Sequence, residues 1–280
     1  MTPVKIMING LPGNVTQVIT RLALADSRVE ILPWSLTGPE INAVDFLLEG
    51  TAFSLLTPDH RDDQIAAIKA SEGAFISVDF THPTAVNANA EFYCRHGLPF
   101  VMGTTGGDRR RLVQTVEDSG IAAVIAPNMA KQIVGFQAMM AYAADTFPDL
   151  FKGYRLTVRE SHQAGKADTS GTAKAMVGYF NKMGIPFEEN QIEKERDPER
   201  QSNMLGVQPE YLSGHGWHTY TLISADQTAK FEFTHNINGR DIYAEGTVDA
   251  ILFLNRQIAG GARGRVFSMM DVLKAGAAAS

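Results

Sequence analysis

The chain has 280 residues, which at about 150 residues per domain suggests two domains. Hydrophobic residues make up 44% and charged residues 20%, figures that exclude a disordered chain, a collagen and a disulfide scaffold. With 25 basic and 31 acidic residues the net charge is −6, so no nucleic-acid partner is expected.

In chain order, residues 4–8 read as a strand and Gly10-Leu11-Pro12-Gly13 as a turn. Asn14 then reads as the cap of a helix whose Val15, Val18, Ile19 and Leu22 share one face. A second strand is expected at 29–34, with further apolar runs at 53–56, 75–80, 100–102 and 122–126. Helical stretches lie between them near 62–71, 83–95 and 108–119. Short strands alternating with helices imply a parallel sheet covered on both faces, an α/β domain. After Asn128 the rhythm changes. A long helix is expected over 131–147, then a half-buried strand over 154–161 and a helix over 172–183. The polar stretch 188–200 reads as a solvated loop or exposed helix. Strong alternation at 218–223 and 230–236 predicts a hairpin in an open mixed sheet, largely antiparallel, with helices on one face. Helices return at 243–258 and 269–274.

A strand, a glycine turn and an amphipathic helix together present free backbone N–H groups to a phosphate. Thr16 stands where the dinucleotide fingerprint has a third small residue, so the match is partial; a tight turn without a ligand is the plain alternative. After the second strand, Pro33-Trp34-Ser35-Leu36-Thr37 holds no carboxylate to repel a ribose 2′-phosphate. Ser35 and Thr37 offer hydroxyls there, a lean toward NADPH over NADH.

The densest chemistry is Glu160-Ser161-His162-Gln163-Ala164-Gly165-Lys166-Ala167-Asp168-Thr169-Ser170-Gly171-Thr172. His162 supplies a proton-transfer group and Lys166 a cation. Ser170-Gly171-Thr172 supplies hydroxyls and N–H groups at a helix start, suited to a carboxylate. Singly, each has a plain structural reading: Ser170 a helix cap, Lys166 a solvated loop residue, His162 a strand end. Their clustering favours a site for an acidic substrate.

This segment resembles the signature of the 4-hydroxy-tetrahydrodipicolinate reductase (dihydrodipicolinate reductase) family of the diaminopimelate–lysine route. Gly10 to Gly13, Val101-Met102-Gly103-Thr104-Thr105-Gly106 and Ala126-Pro127-Asn128-Met129 agree with it. Gln163, where many bacterial members carry a second histidine, resembles the plant and cyanobacterial branch. The resemblance implies a Rossmann-type domain and NAD(P)H-dependent reduction of a hydroxylated cyclic dicarboxylate imine to tetrahydrodipicolinate. It implies that Gly10, Gly13, Asn14 and Val15 hold the pyrophosphate. Gly103, Thr104 and Thr105, with Ala126, Pro127, Asn128 and Met129, would contact the nicotinamide half. By resemblance His162 is the proton donor, with a pKa near neutrality, and Lys166 the second catalytic cation. Gln163, Ser170, Gly171 and Thr172 would bind substrate. Leu36, near where many members place an arginine, departs from the pattern.

The expected organisation is a dinucleotide-binding domain from 1–128 with 249–280, and a substrate-binding and oligomerisation domain at 129–248. Domain closure would bring His162 and Lys166 over the nicotinamide. The resemblance implies a homotetramer, with a dimer as the alternative. No metal is expected: His215 and His218 could pair, but no third ligand lies nearby in sequence. The longest apolar run, 120–127, is far short of the ~20 residues of a bilayer span, so no membrane partner is expected. A single cysteine, Cys94, and the lack of a leader pattern at the start suggest a reducing, cytoplasmic setting. Two rivals stand: another nicotinamide-dependent amino- or imino-acid dehydrogenase, and a non-catalytic dinucleotide-sensing homologue.

Overall fold

The computed structural model describes residues 2–277; Met1 and 278–280, which the expected first domain includes, lie outside the described residues. Strand β1 (Val4–Asn9) buries Ile6, Met7, Ile8 and Asn9 in succession. Neighbouring side chains on a strand point to opposite faces, so such a strand must be covered on both. Helix α1 (Asn14–Leu24) turns Thr16, Ile19, Thr20 and Ala23 inward. Gly13, not Asn14, occupies its N-cap, and no side chain caps the helix, which leaves its first N–H groups free. Strand β2 (Val29–Ile31) pairs parallel with β1.

The single strand expected at 29–34 is broken at Pro33, which has no N–H to give to a ladder. Beyond it, β3 (Trp34–Leu36), β4 (Asp45–Leu48) and β5 (Thr51–Leu56) form a separate three-stranded sheet in the order β3-β5-β4. There follow α2 (Arg61–Glu72), β6 (Ile76–Asp79), a short 3-10 turn at Pro83–Ala85, α3 (Val86–Arg95) and β7 (Phe100–Met102). Helix α4 (Arg109–Glu117) is capped by Asp108, whose carboxylate accepts from the N–H groups of Arg110 and Arg111 at 3.0 and 3.1 Å. Strand β8 (Ala122–Ile125) closes this stretch.

The second unit comprises α5 (Lys131–Thr146) beyond its first residue, β9 (Arg155–His162), α6 (Gly171–Lys182), β10 (Glu193–Glu195), the single turn α7 (Pro198–Arg200), β11 (His215–Ile223) and β12 (Lys230–Asn238). Its sheet runs β10-β9-β11-β12, with only the β10-β9 pair parallel. One face is graded along its length. Leu156, Val158, Tyr220 and Leu222 pack against Met140 of α5 and Met176, Val177 and Phe180 of α6. The same period of two then carries Glu160, His162, His218 and His235 on that face at its other end. The polar stretch 188–200 is therefore not all solvated, since it contributes β10 to the sheet.

The chain returns to the first unit with α8 (Asp241–Ala259), β13 (Arg265–Phe267) and α9 (Met269–Ala277). Its main sheet is wholly parallel, in the order β13-β8-β7-β6-β1-β2, a Rossmann-type arrangement. Met7, Phe100, Met102 and Ala123 meet α2, α3 and α4 on one face, while α8 lies against β6, β7 and β8 and packs on α1. By internal packing the units are Met1–Lys131 with Asp241–Ser280, and Gln132–Arg240.

A boundary at 248/249 would cut through α8. At Gly246 the helix approaches the first unit too closely for a side chain: a Cβ there would lie 1.8 Å from the Met129 carbonyl oxygen. Gly246→Ala is expected to destabilise the first unit by at least the ~1–3 kcal/mol of an overpacked core, read by urea unfolding. An unchanged unfolding midpoint would show that the helix can move aside at no cost.

Candidate active site

In the first unit the glycine turn is set by close approach. Gly10 has φ +111°, and a Cβ there would stand 2.3 Å from the Phe80 carbonyl oxygen. A Cβ on Gly103 would fall 2.1 Å from the Phe80 ring, so the two glycines flank one residue that sequence reading overlooked. Thr16, the departure from the fingerprint, is buried and useful: its hydroxyl contacts the carbonyl oxygens of Gly10 at 3.0 Å and Gly13 at 2.7 Å. Beside the turn opens a cleft of about 920 Å³, lined by Gly10, Gly13, Thr37, Glu40, Arg61 and Phe80 among others. Free helix N–H groups and glycines too crowded for a side chain are a fitting cradle for a pyrophosphate.

Ser35 does not face this cleft. It is fully buried, and its oxygen accepts from Leu11 N–H at 3.1 Å, so it braces the turn and offers no donor to a phosphate. The expectation of a Ser35 contact is thereby corrected. The charges missing from 33–37 come from farther along, from Glu40 and from Arg61, whose guanidinium stacks 4.4 Å above the Phe92 ring. Thr104 is nearly buried, its hydroxyl donating to Asp79 at 2.6 Å, while Thr105 is exposed. Ala126 N–H donates to Met102 O at 3.0 Å, so residues 126–129 leave the sheet next to Gly103. Pro127 is exposed, Asn128 half-buried and Met129 buried; the Asn128 side chain accepts from Ala130 N–H at 2.9 Å.

In the second unit the His162–Thr172 segment is gathered around a fully buried carboxylate, Glu160. One oxygen accepts from Ser170 N–H at 2.9 Å, and the other pairs with the Arg196 guanidinium. Ser170 is the N-cap of α6, its hydroxyl accepting from Thr172 N–H at 3.2 Å. Gly171 is exposed and Thr172 half-buried at that helix start. Lys166 donates to Asp168 at 2.8 Å, and its N–H donates to the carbonyl of half-buried Gln163 at 3.0 Å. His215 is engaged elsewhere, with Ser161 Oγ at 2.8 Å and Tyr211 O at 3.1 Å.

Ligand atoms of Glu160, His162 and His218 lie within 4.8 Å of one another, the reach of a metal triad. A cation there would have to displace Arg196 and Ser170 N–H from the carboxylate, and Lys166 adds further positive charge. The site's electrostatics favour an anion.

Burial, with the positive charges of Arg196 and Lys166, pushes His162 down to about 3. It is a neutral imidazole at pH 7 in the free protein, where sequence reading expected a value near neutrality. Burial likewise holds His218 far below its usual range and His235 at about 4. These folded values lie below the unfolded ~6.5, so the unfolded chain binds more protons between the two limits. The stability they represent is complete above about pH 6.5 and lost as pH falls toward 3–4. Acid unfolding is expected to begin below about pH 6, with a higher proton uptake than in a His218→Phe, His235→Phe variant. Equal pH slopes for the two proteins would remove these histidines as the cause.

Sequence reading missed Glu160, Arg196 and Phe80 as working parts. Glu160 stood inside the quoted motif, and an acidic residue on the inward face of a half-buried strand was its signal.

Comparison with known proteins shows the family. Two family profiles match: dihydrodipicolinate reductase, N-terminus, over residues 4–129, and dihydrodipicolinate reductase, C-terminus, over residues 133–273. The chain is 45% identical over 271 residues to a probable 4-hydroxy-tetrahydrodipicolinate reductase 1, chloroplastic, of Oryza sativa subsp. japonica, covering 97% of this chain and 79% of that one. It is 45% identical over 273 residues to 4-hydroxy-tetrahydrodipicolinate reductase 2, chloroplastic, of Arabidopsis thaliana, covering 98% and 78%. Among solved structures, a dipicolinate-bound dihydrodipicolinate reductase from Paenisporosarcina sp. TG-14 shares the fold, with TM-score 0.65, 17% identity and coverage of 95% and 97%. With both halves matched in order and nearly the whole length aligned to the plant enzymes, the chain belongs to the dihydrodipicolinate reductase family.

Proposed function

We propose that this chain catalyses the NAD(P)H-dependent reduction of 4-hydroxy-tetrahydrodipicolinate to tetrahydrodipicolinate in the diaminopimelate route to lysine. The observation that carries the reading is the convergence of His162, Lys166 and the α6 N-terminus around the Glu160–Arg196 pair, within a family of such reductases. Two carboxylates on a substrate match the Lys166 ammonium on one side and the N–H groups and hydroxyls of Ser170, Gly171 and Thr172 on the other. Gln163 adds an uncharged hydrogen-bonding group beside them. Reduction builds negative charge on the ring, which Lys166 stabilises and a proton from His162 quenches. The imidazole, neutral in the free protein, takes up its proton when a dianionic substrate offsets the charges of Arg196 and Lys166.

A nicotinamide cofactor supplies the hydride when bound. Gly10, Gly13, Asn14 and Val15 would hold its pyrophosphate, and Gly103, Thr104, Thr105, Ala126, Pro127, Asn128 and Met129 its nicotinamide half. The Thr104 hydroxyl is committed to Asp79, so that residue contributes through its backbone. NADPH is the preferred form in this reading, and the support is the Arg61 cation in the cleft, held by Phe92 and by Asn89 at 3.3 Å. We read the assembly as a homotetramer through the second unit, supported by Phe231, exposed on β12 at an edge of the sheet. No described helix is long and apolar enough to cross a membrane. The setting proposed is cytoplasmic, on the strength of the single cysteine; the plant relatives carry chloroplastic names.

The test is oxidation of NADPH and NADH followed by absorbance, with substrate generated in place by the preceding synthase from pyruvate and aspartate semialdehyde. Turnover, with kcat/KM higher for NADPH, is expected. Cofactor binding without turnover would move the chain to a sensor or to another substrate.

A further inference from the structure

The segment 195–201 sends two side chains, buried Gln201 and half-buried Arg196, to main-chain carbonyls of the candidate catalytic residues. Gln201 is fully buried, and its Nε2 donates to His162 O at 2.7 Å and to Glu195 O at 3.1 Å. Arg196 donates through Nε to Lys166 O at 2.9 Å and through Nη1 to Glu195 O at 2.9 Å, while Nη2 pairs with the Glu160 carboxylate. Two longer contacts, each 3.5 Å, reach Glu160 O and Asp168 O. The second oxygen of Glu160 accepts from Ser170 N–H at 2.9 Å. One guanidinium thus joins the end of β9, the loop carrying Lys166 and, through Glu160, the first residues of α6.

We propose that Arg196 is a positioning residue for the reaction. It holds Lys166 and the carboxylate-receiving turn Ser170-Gly171-Thr172 in register with His162, and Gln201 fixes His162 through its carbonyl. This rests on the residue roles given under the proposed function. The geometry requires an arginine: a lysine would keep a positive charge beside Glu160 but is a point donor, unable to serve a carboxylate and several carbonyls from one rigid plane. The partners also separate positioning from plain stability. Arg196 reaches a residue of the reaction by its backbone, so losing the contact lets Lys166 drift without removing the ammonium. A displacement of about 1 Å in a catalytic group can cost about a hundredfold.

The experiment compares R196K, R196A, Q201L and K166A for kcat, KM, affinity for pyridine-2,6-dicarboxylate by calorimetry, and circular dichroism. R196K is expected to keep the wild-type spectrum and lose about a hundredfold in kcat/KM, with weaker dicarboxylate binding. R196A should regain part of its turnover when guanidinium is added below denaturing concentration; K166A should not. Q201L should lower kcat with little change in dicarboxylate affinity, because it loosens His162 alone. R196K at wild-type kcat/KM beside an inactive K166A overturns the proposal and leaves the residue roles standing. An Arg196 variant that lowers only the urea midpoint, with kcat, KM and dicarboxylate affinity unchanged, assigns Arg196 to stability and overturns it as well. Full activity in K166A overturns both.

Discussion

Lys166→Ala and His162→Ala are each expected to lower kcat by roughly 10²–10⁴-fold while the fold survives, since losing a charge-stabilising cation or a positioned proton donor has an effect of that order. Neither side chain belongs to the apolar core cluster of the second unit. Lys166 sits in a loop with its ammonium on the exposed Asp168. The His162 ring is largely buried, but its Nδ1 has no hydrogen-bond partner among the described residues, so its removal leaves no donor stranded. The depressed pKa of about 3 sharpens the test. An imidazole that becomes a proton donor only in the substrate complex has different pKa values in the two states. The pH profile of kcat should then show a basic limb well above 3, absent from His162→Ala. A kcat within a few-fold of wild type in folded His162→Ala protein would remove the donor role. Asp168→Asn is a useful control, since it frees Lys166 from an exposed partner without altering its tether to Arg196.

The second large effect is expected at Asp79, which no motif marked. It ends β6 and is fully buried, the hub of a polar network. Its Oδ2 accepts from the Tyr93 hydroxyl at 2.7 Å and from Asn89 at 3.0 Å. Its Oδ1 accepts from the hydroxyls of Thr104 at 2.6 Å and Thr81 at 3.0 Å. Tyr93 also receives Asn9 Nδ2 at 3.1 Å, and Asn9 Oδ1 receives Leu36 N–H at 3.0 Å, so the ends of β1, β3, β6 and β7 are tied together. Burial beside Asp79 holds the Tyr93 hydroxyl well above its usual range, which keeps it a donor. Asp79→Leu strands several buried donors at once and is expected to destabilise by about 3–5 kcal/mol, the cost of breaking a buried charged network. Asp79→Asn keeps the shape but turns one acceptor into a donor; about 1–3 kcal/mol is expected. Urea unfolding measures both, and a rise in the KM for cofactor should accompany them because Gly103 and Thr104 follow directly from this network. Leucine matching wild type within about 0.5 kcal/mol would mean that the network is dispensable.

Much of the architecture can be read locally. Alternating strands and helices before residue 128, the change of rhythm after it and the hairpin at 225–228 all follow from periods of two and 3.6 and from turn residues, which act within a few positions. The same holds for the Gly10–Gly13 turn and for the Ser170 cap of α6. What local windows miss is short or distant. Strands β4 and β13 have four and three residues, too few to show a period.

From the sequence alone came the class of each half, the family resemblance and the segment proposed to carry the chemistry, because these depend on residue type, spacing and turn geometry. Tertiary structure alone decided which residues support that segment. Ser35 passed from supposed phosphate donor to buried brace of the glycine turn, because β3 leaves the main sheet after Pro33. The polar run 188–200, read as solvated, delivered Arg196 to Glu160 across 36 residues of chain. Sequence also set His162 near neutrality, where three-dimensional burial and the charges of Arg196 and Lys166 hold it at about 3. Desolvation and Coulomb interaction depend on distance in space, and distance along the chain does not report it.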